Sequence, residues 1–110
     1  DVLSPVRKTG KGSGWWSMSL PIGTVTVTAA GTRVQVVASG NAVSAVNFKA
    51  RLSNAGPVYI GDSTVSSTNG YRLEPGEDIT ISFREVVDLR RFYIDAATNN
   101  DRVDYAGVAA

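Results

Sequence analysis

From about residue 22 onward, apolar and polar side chains alternate with a period of two, and turn signals interrupt the alternation roughly every eight to twelve residues. Alternation of this kind marks strands with one face on a core and the other toward solvent. Val25 and Val27 alternate with Thr24, Thr26 and Thr28, and Val34 and Val36 with Arg33 and Gln35. Val46, Phe48, Ala50 and Leu52 share one face, while Asn47, Lys49 and Arg51 share the other. Val58, Tyr59 and Ile60 form a further short run. Ile79, Ile81 and Phe83 alternate with Thr80, Ser82 and Arg84, and Phe92 and Ile94 with Tyr93 and Asp95. A last strand carries Val103 and Tyr105.

The breaks are Ala30-Gly31, Ser39-Gly40-Asn41, Asn54-Ala55-Gly56-Pro57, Asn69-Gly70, Pro75-Gly76 and Thr98-Asn99-Asn100-Asp101. Asn-Gly tolerates the positive φ of a tight turn. Pro-Gly presets one turn position and frees the next. No sustained 3.6-residue pattern occurs, and residues 85–90 suffice for one helical turn at most. The reading is all-β: a sandwich of seven or eight mainly antiparallel strands, jelly-roll or Ig-like, over residues 22–110. Its expected core is Val25, Val27, Val34, Val36, Val46, Phe48, Leu52, Val58, Ile60, Leu73, Ile79, Ile81, Phe83, Phe92, Ile94 and Val103. The chain has 110 residues, enough for one domain with a self-sufficient core.

Residues 1–21 read differently, as an extended N-terminal arm. They hold Gly10, Gly12 and Gly14, the cations Arg7, Lys8 and Lys11, and no alternation. Ordering backbone costs about 1–2 kcal/mol per residue. Val2, Leu3, Val6, Trp15 and Trp16 return only about 2–3 kcal/mol each on burial. The arm therefore needs added contacts to become ordered, from the domain or from a partner. Trp15-Trp16 sits at the junction of arm and domain. Neighbouring side chains on an extended chain point to opposite sides, so one ring can pack on the domain while the other faces a partner. Tryptophan is enriched at interface hot spots for its large buried area. The alternative is that both rings cover the end of the sandwich.

The chain has neither cysteine nor histidine. That removes disulfides, thiolate nucleophiles, Ser-His-Asp and Cys-His mechanisms, and most transition-metal sites. Gly10-Lys11-Gly12-Ser13-Gly14 lacks the Gly-Lys-Ser/Thr ending of a phosphate-binding loop. Glu74, Glu77 and Asp78 flank the Pro75-Gly76 turn, where acids are ordinarily solvated. Asp95, Asn99, Asp101 and Asp104 supply oxygen atoms near one loop, without the spacing of an EF-hand. Three arm cations are too few for a nucleic-acid sequence reader. No apolar run approaches the about 20 residues that cross a bilayer, and the sequence does not start with a signal-peptide pattern.

Charge is split along the chain. Residues 1–61 carry six cations against Asp1, a net +5, and residues 62–110 carry five arginines against nine acids, a net −4. The split suggests a basic surface meeting the acidic surface of a second copy, unless folding interleaves the halves. A contact of that type is heterologous and closes into a ring when the rotation allows, most simply a trimer. In such a ring Arg7, Lys8 and Lys11 reach a neighbour's Glu74, Glu77 and Asp78.

Residues 58–83, VYIGDSTVSSTNGYRLEPGEDITISF, followed by FYIDAATNNDRVDYAGV, resemble small virion structural proteins of tailed bacteriophages. These show a VY-(I/V)-G strand, an NGY-x-L-x-PGE turn and an A…V-x-Y-x-G ending. The resemblance spans roughly residues 46–110. It implies a location on the virion, as a capsid decoration (cement) protein or a neck or tail accessory, with the major capsid protein or other virion proteins as partners. It carries over no catalytic residue. The expectation is thus a non-enzymatic, homo-oligomeric protein without cofactor, metal, membrane or specific nucleic-acid partner. Its interface residues are Val2, Leu3, Arg7, Lys8, Lys11, Trp15 and Trp16. A second class is a carbohydrate-binding module that stacks sugar on Trp15, Trp16 and Tyr59. A third is a small hydrolase built on carboxylates.

Overall fold

The computed structural model describes residues 20–38 and 40–109. These form eight strands: β1 (Ile22–Val27), β2 (Val34–Gln35), β3 (Ala42–Ala50), β4 (Val58–Gly61), β5 (Tyr71–Leu73), β6 (Asp78–Asp88), β7 (Tyr93–Ala96) and β8 (Asp101–Ala109). One sheet has the order β1-β8-β3-β6 and the other β2-β7-β4-β5, with every pairing antiparallel. The pairs β1·β8, β2·β7, β3·β6 and β4·β5 are nested, as in one long hairpin rolled onto itself. This is the jelly-roll arrangement of two four-stranded sheets, and it decides between the two sandwich topologies that strand spacing alone leaves open.

The core lies between the sheets. Val25, Val27, Val43, Val46, Phe48, Ala50 and Val103 come from the first sheet and Val58, Ile60, Leu73, Ile94 and Ala96 from the second. Phe48 packs tilted against Phe92, with ring centroids 5.3 Å apart, and Phe92 lies 5.9 Å from Phe83. Val36 is buried, and Val34, Ile79, Ile81, Phe83 and Phe92 pack half-buried against the same cluster.

Leu52 is the exception: it is 80 % exposed. The alternation Val46, Phe48, Ala50 does not continue because β3 stops at Ala50. The Ala50 carbonyl accepts from the Gly76 amide, and the Asn54 amide closes a turn onto the Arg51 carbonyl. Leu52 therefore leaves the sheet on a loop. Leu52→Ser is expected to change unfolding free energy by no more than about 0.5 kcal/mol. A loss above about 2 kcal/mol in urea denaturation would return Leu52 to the core.

Two further local features depart from the sequence reading, and a third agrees with it. Leu89, fully buried, belongs to a single 3-10 turn, Leu89–Arg91, after β6. Asp88 caps that turn by accepting from the Arg90 amide at 2.9 Å. The Pro75-Gly76 turn forms as expected, with Gly76 at φ 90° and the Glu77 amide bonded to the Glu74 carbonyl. The Asn69-Gly70 signal misplaces its turn, because Ser66 and Asn69 bridge and the tip is Ser67-Thr68. Gly70 serves another purpose. A Cβ there would lie 2.6 Å from Val65 Cγ2 and 3.2 Å from the Ile60 carbonyl oxygen, so only glycine fits.

Candidate interaction surface

A sandwich has two outer sheet faces, and the described residues treat them differently. On the second sheet Val58 and Ile60 point to the core, so Tyr59 and Gly61 point outward. Tyr59 is nevertheless only 6 % exposed. The segment 62–70 folds over it: Val65, fully buried, sits on Gly61 and Gly70, and Gly70 lies against Tyr59. The segment braces itself. Asp62 accepts from the Thr64 amide at 2.8 Å and from its hydroxyl at 2.6 Å, which holds the Asp62 carboxyl below its ordinary pKa. Asn69 Nδ2 donates to the Thr64 carbonyl, and Arg33 Nη1 to the Val65 carbonyl. Tyr59 is thus unavailable as a stacking platform, which corrects its assignment in the sugar-binding alternative.

The outer face of the first sheet has no such cover among the described residues. By register its side chains are Ile22, Thr24 and Thr26 on β1, Arg102, Asp104, Ala106 and Val108 on β8, Ala45, Asn47 and Lys49 on β3, and Asp78, Thr80 and Ser82 on β6. Two polar networks occupy its middle and far side. Arg51 Nε donates to both Asp104 oxygens at 3.0 Å, and Thr24 Oγ1 donates to Asp104 Oδ1 at 2.6 Å. The Arg51 hydrogen bond, more than the Thr24 one, pulls the Asp104 carboxyl below its ordinary pKa. Both partners are about 40 % exposed, so this pair adds little stability. Asn47 Nδ2 donates to Asp78 Oδ2 and Thr80 Oγ1, both at 2.9 Å.

The near corner is apolar. Ile22, 67 % exposed, pairs with Ala106, and Val108, 53 % exposed, pairs with Ala45. Leu20, 58 % exposed, precedes β1 at the same corner. The sequence reading missed this strip, although a signal existed. Ile22 shares its face with Thr24 and Thr26, so it is the one residue of β1 with the wrong polarity for a solvated face. The strip lies where residues 1–19 join the domain. Val2, Leu3, Arg7, Lys8, Lys11, Trp15 and Trp16, the expected interface residues, all lie outside the described residues.

The remaining candidate groups do not converge. Asp95 Oδ1 accepts from the Gly31 amide at 3.0 Å and the Ala96 amide at 2.8 Å, and Asn99 Oδ1 from the Ala30 amide at 2.8 Å. Asp101 takes the Ala55 amide at 2.9 Å and the Gly56 amide at 3.0 Å. Asp104 belongs to the Arg51 network. Each of these oxygens ties down a loop or a neighbouring strand, and among the described residues no three His, Cys, Asp or Glu side chains are grouped to hold a metal ion. Glu77 Oε1 accepts from the Glu74 amide, Glu74 pairs with Arg72, and Asp78 accepts from Asn47. An open groove beside them is lined by Tyr71, Arg72, Leu73, Glu77 and Asp78.

Folding also interleaves the two charged halves. β1 and β3 alternate with β8 and β6 in one sheet, and β2 and β4 with β7 and β5 in the other. Lys49 lies opposite both Asp78 and Asp104, and Arg51 pairs with Asp104. Cations and acids are therefore mixed on the outer face of the first sheet, and Arg7, Lys8 and Lys11, the cations of the expected ring, lie outside the described residues. No family model, curated protein or solved structure matches this chain.

Proposed function

We propose that the chain is a structural protein of a bacteriophage particle, a decoration or cement subunit that stabilises the head shell through protein–protein contacts. The observation that carries this reading is the outer face of the first sheet, uncovered among the described residues, with its apolar corner beside Leu20, four residues after Trp16 in sequence. Exposed apolar area beside polar networks is the composition of a contact surface. The sequence resemblance to virion structural proteins supplies the class of partner: the major capsid protein or another virion protein. Jelly rolls build capsid domains and lectins alike, so topology alone does not choose. The buried Tyr59 weighs against the lectin-like alternative, and Tyr71 is the only largely exposed aromatic side chain among the described residues.

In this reading the subunit works as a clamp. The sandwich is the rigid body, and Trp15 or Trp16, with Val2 and Leu3, supplies apolar anchoring. Arg7, Lys8 and Lys11 set register through exposed ion pairs of about 0–1 kcal/mol each.

Electron microscopy of purified particles should find the chain on the head at a fixed copy number. Trp16→Ala should weaken its attachment by about 2 kcal/mol or more, roughly thirtyfold, and leave the sandwich folded. A specific glycan hit that Trp16→Ala abolishes, with particle attachment unchanged, would overturn this proposal in favour of sugar binding.

A further inference from the structure

A jelly roll leaves four sheet edges, each a row of backbone groups able to pair with another chain unless something blunts it. Here three are blunted. β6 loses its regular pairing along its length: Val87 lies opposite Val43 and Ser82 opposite Ala45, so five steps on β6 match two on β3. The segment pushed out between them carries exposed Arg84 and Glu85. β2 is two residues long. β5 is three residues long and carries Arg72, ion-paired to Glu74.

β1 shows no such device among the described residues. It runs six residues, Ile-Gly-Thr-Val-Thr-Val, with β8 on one side and no strand on the other among the described residues. The stretch from Leu20 to Thr32 contains no charge. Alternating β-branched residues without charge form the kind of edge that recruits another strand.

We propose that the open edge of β1 is an interface with a second copy of this chain, the two β1 strands pairing antiparallel about a two-fold axis. The occupant follows from self-complementarity. With no charge between Leu20 and Thr32, no like charges from these strands oppose each other across the axis. Residues opposite each other in such a pair share a face, so the register must centre on a residue. Centring on Thr24 or on Val25 keeps Val25 and Val27 over the two cores and Thr24 and Thr26 outside. Either register joins the first sheets of the two copies into one continuous eight-stranded sheet. Leu20 and Ile22, exposed in the single chain, then lie along the seam between copies. The contact is isologous, in place of the heterologous ring that the charge split suggested, and it does not depend on attachment to a particle.

Light scattering coupled to size exclusion, on the full chain over a wide concentration range, is the test. Twice the chain mass is expected. Thr26→Pro should weaken the dimer about tenfold or more. Pro21 and Val27 turn their carbonyls to β8, where the Gly107 and Asn100 amides donate to them, so the alternate Thr26 amide faces the open edge and proline removes its bond to the partner strand. In the single chain that amide meets no strand among the described residues, and an edge strand accepts proline there, so the fold, followed by circular dichroism, is retained. Ser82→Glu, on the same face of β6, should leave the dimer intact. A monomer or a trimer for the unmodified chain, a fully dimeric and folded Thr26→Pro, or equal loss with Ser82→Glu would each overturn the interface.

Discussion

Phe48→Ala is expected to lower unfolding free energy by about 3–5 kcal/mol, a large share of the about 5–15 kcal/mol typical of a domain. Phe48 sits on the central strand β3 with no solvent exposure. Its neighbours across the strand pairs are Ile79 and Tyr105, and its ring meets Phe92 of the connection before β7. One side chain thus joins three strands of the first sheet to the second layer. Backbone hydrogen bonds on both sides of β3 resist collapse into the space left behind, so the cavity cost adds to the lost burial. The measurement is the urea midpoint with an unchanged slope. A loss below about 1 kcal/mol would mean that the layers do not close on Phe48, and the sandwich as described would be wrong.

The second large effect is expected at a polar residue. Asp101 is 4 % exposed and accepts from two successive loop amides, Ala55 and Gly56, one on each carboxylate oxygen. Asp101→Ala strands both donors. Hydrogen bonds to charged groups contribute about 1.5–3 kcal/mol each. Ala55 is exposed and regains water, so a combined loss of about 2–4 kcal/mol is expected. Asp101→Asn separates shape from charge. It keeps one acceptor and turns an NH2 group toward the other amide, donor against donor, so at least half of the loss should remain. An Asn variant as stable as the parent would show that the loop does not need the carboxylate.

The strands were legible in the sequence because alternation is a local property. Val25, Val27, Val46, Phe48 and Ile94 lie in the core where their spacing puts them. Topology was legible only as far as a choice between two sandwiches, since the partner of β1 is more than seventy residues away and no local signal names it. Leu52 failed because the apolar alternation runs one step further, two residues past Ala50, where backbone bonds end the strand. Leu89, Val65 and Val43 were missed for complementary reasons. Leu89 is buried by a 3-10 turn and Val65 by a loop folded over an outer sheet face. Val43 sits beside the register shift that breaks its strand's alternation. Tyr59 entered the sugar-binding set as an aromatic residue in a short strand, and only the three-dimensional path of residues 62–70 shows it covered. The loop carboxylates Asp95 and Asp101 resembled cation ligands because both tasks require oxygen acceptors close in sequence. Their geometry shows amide donors at those oxygens instead.

The nested pairing also governs the order in which the chain can complete itself. β4 and β5 are near neighbours in sequence and can meet early, whereas β1 has β8 as its strand partner. During synthesis the uncharged β1 segment leaves the ribosome long before residues 101–109 exist to cover it. Non-local pairing of this kind is slow and leaves strand-forming segments open to wrong partners in the interval. Of the described strands, the first made is therefore among the last secured. A crowd of nascent or freshly released chains faces its greatest risk of mispairing along Ile22–Val27, and a shortage of finished β8 would be felt there before anywhere else in the sandwich.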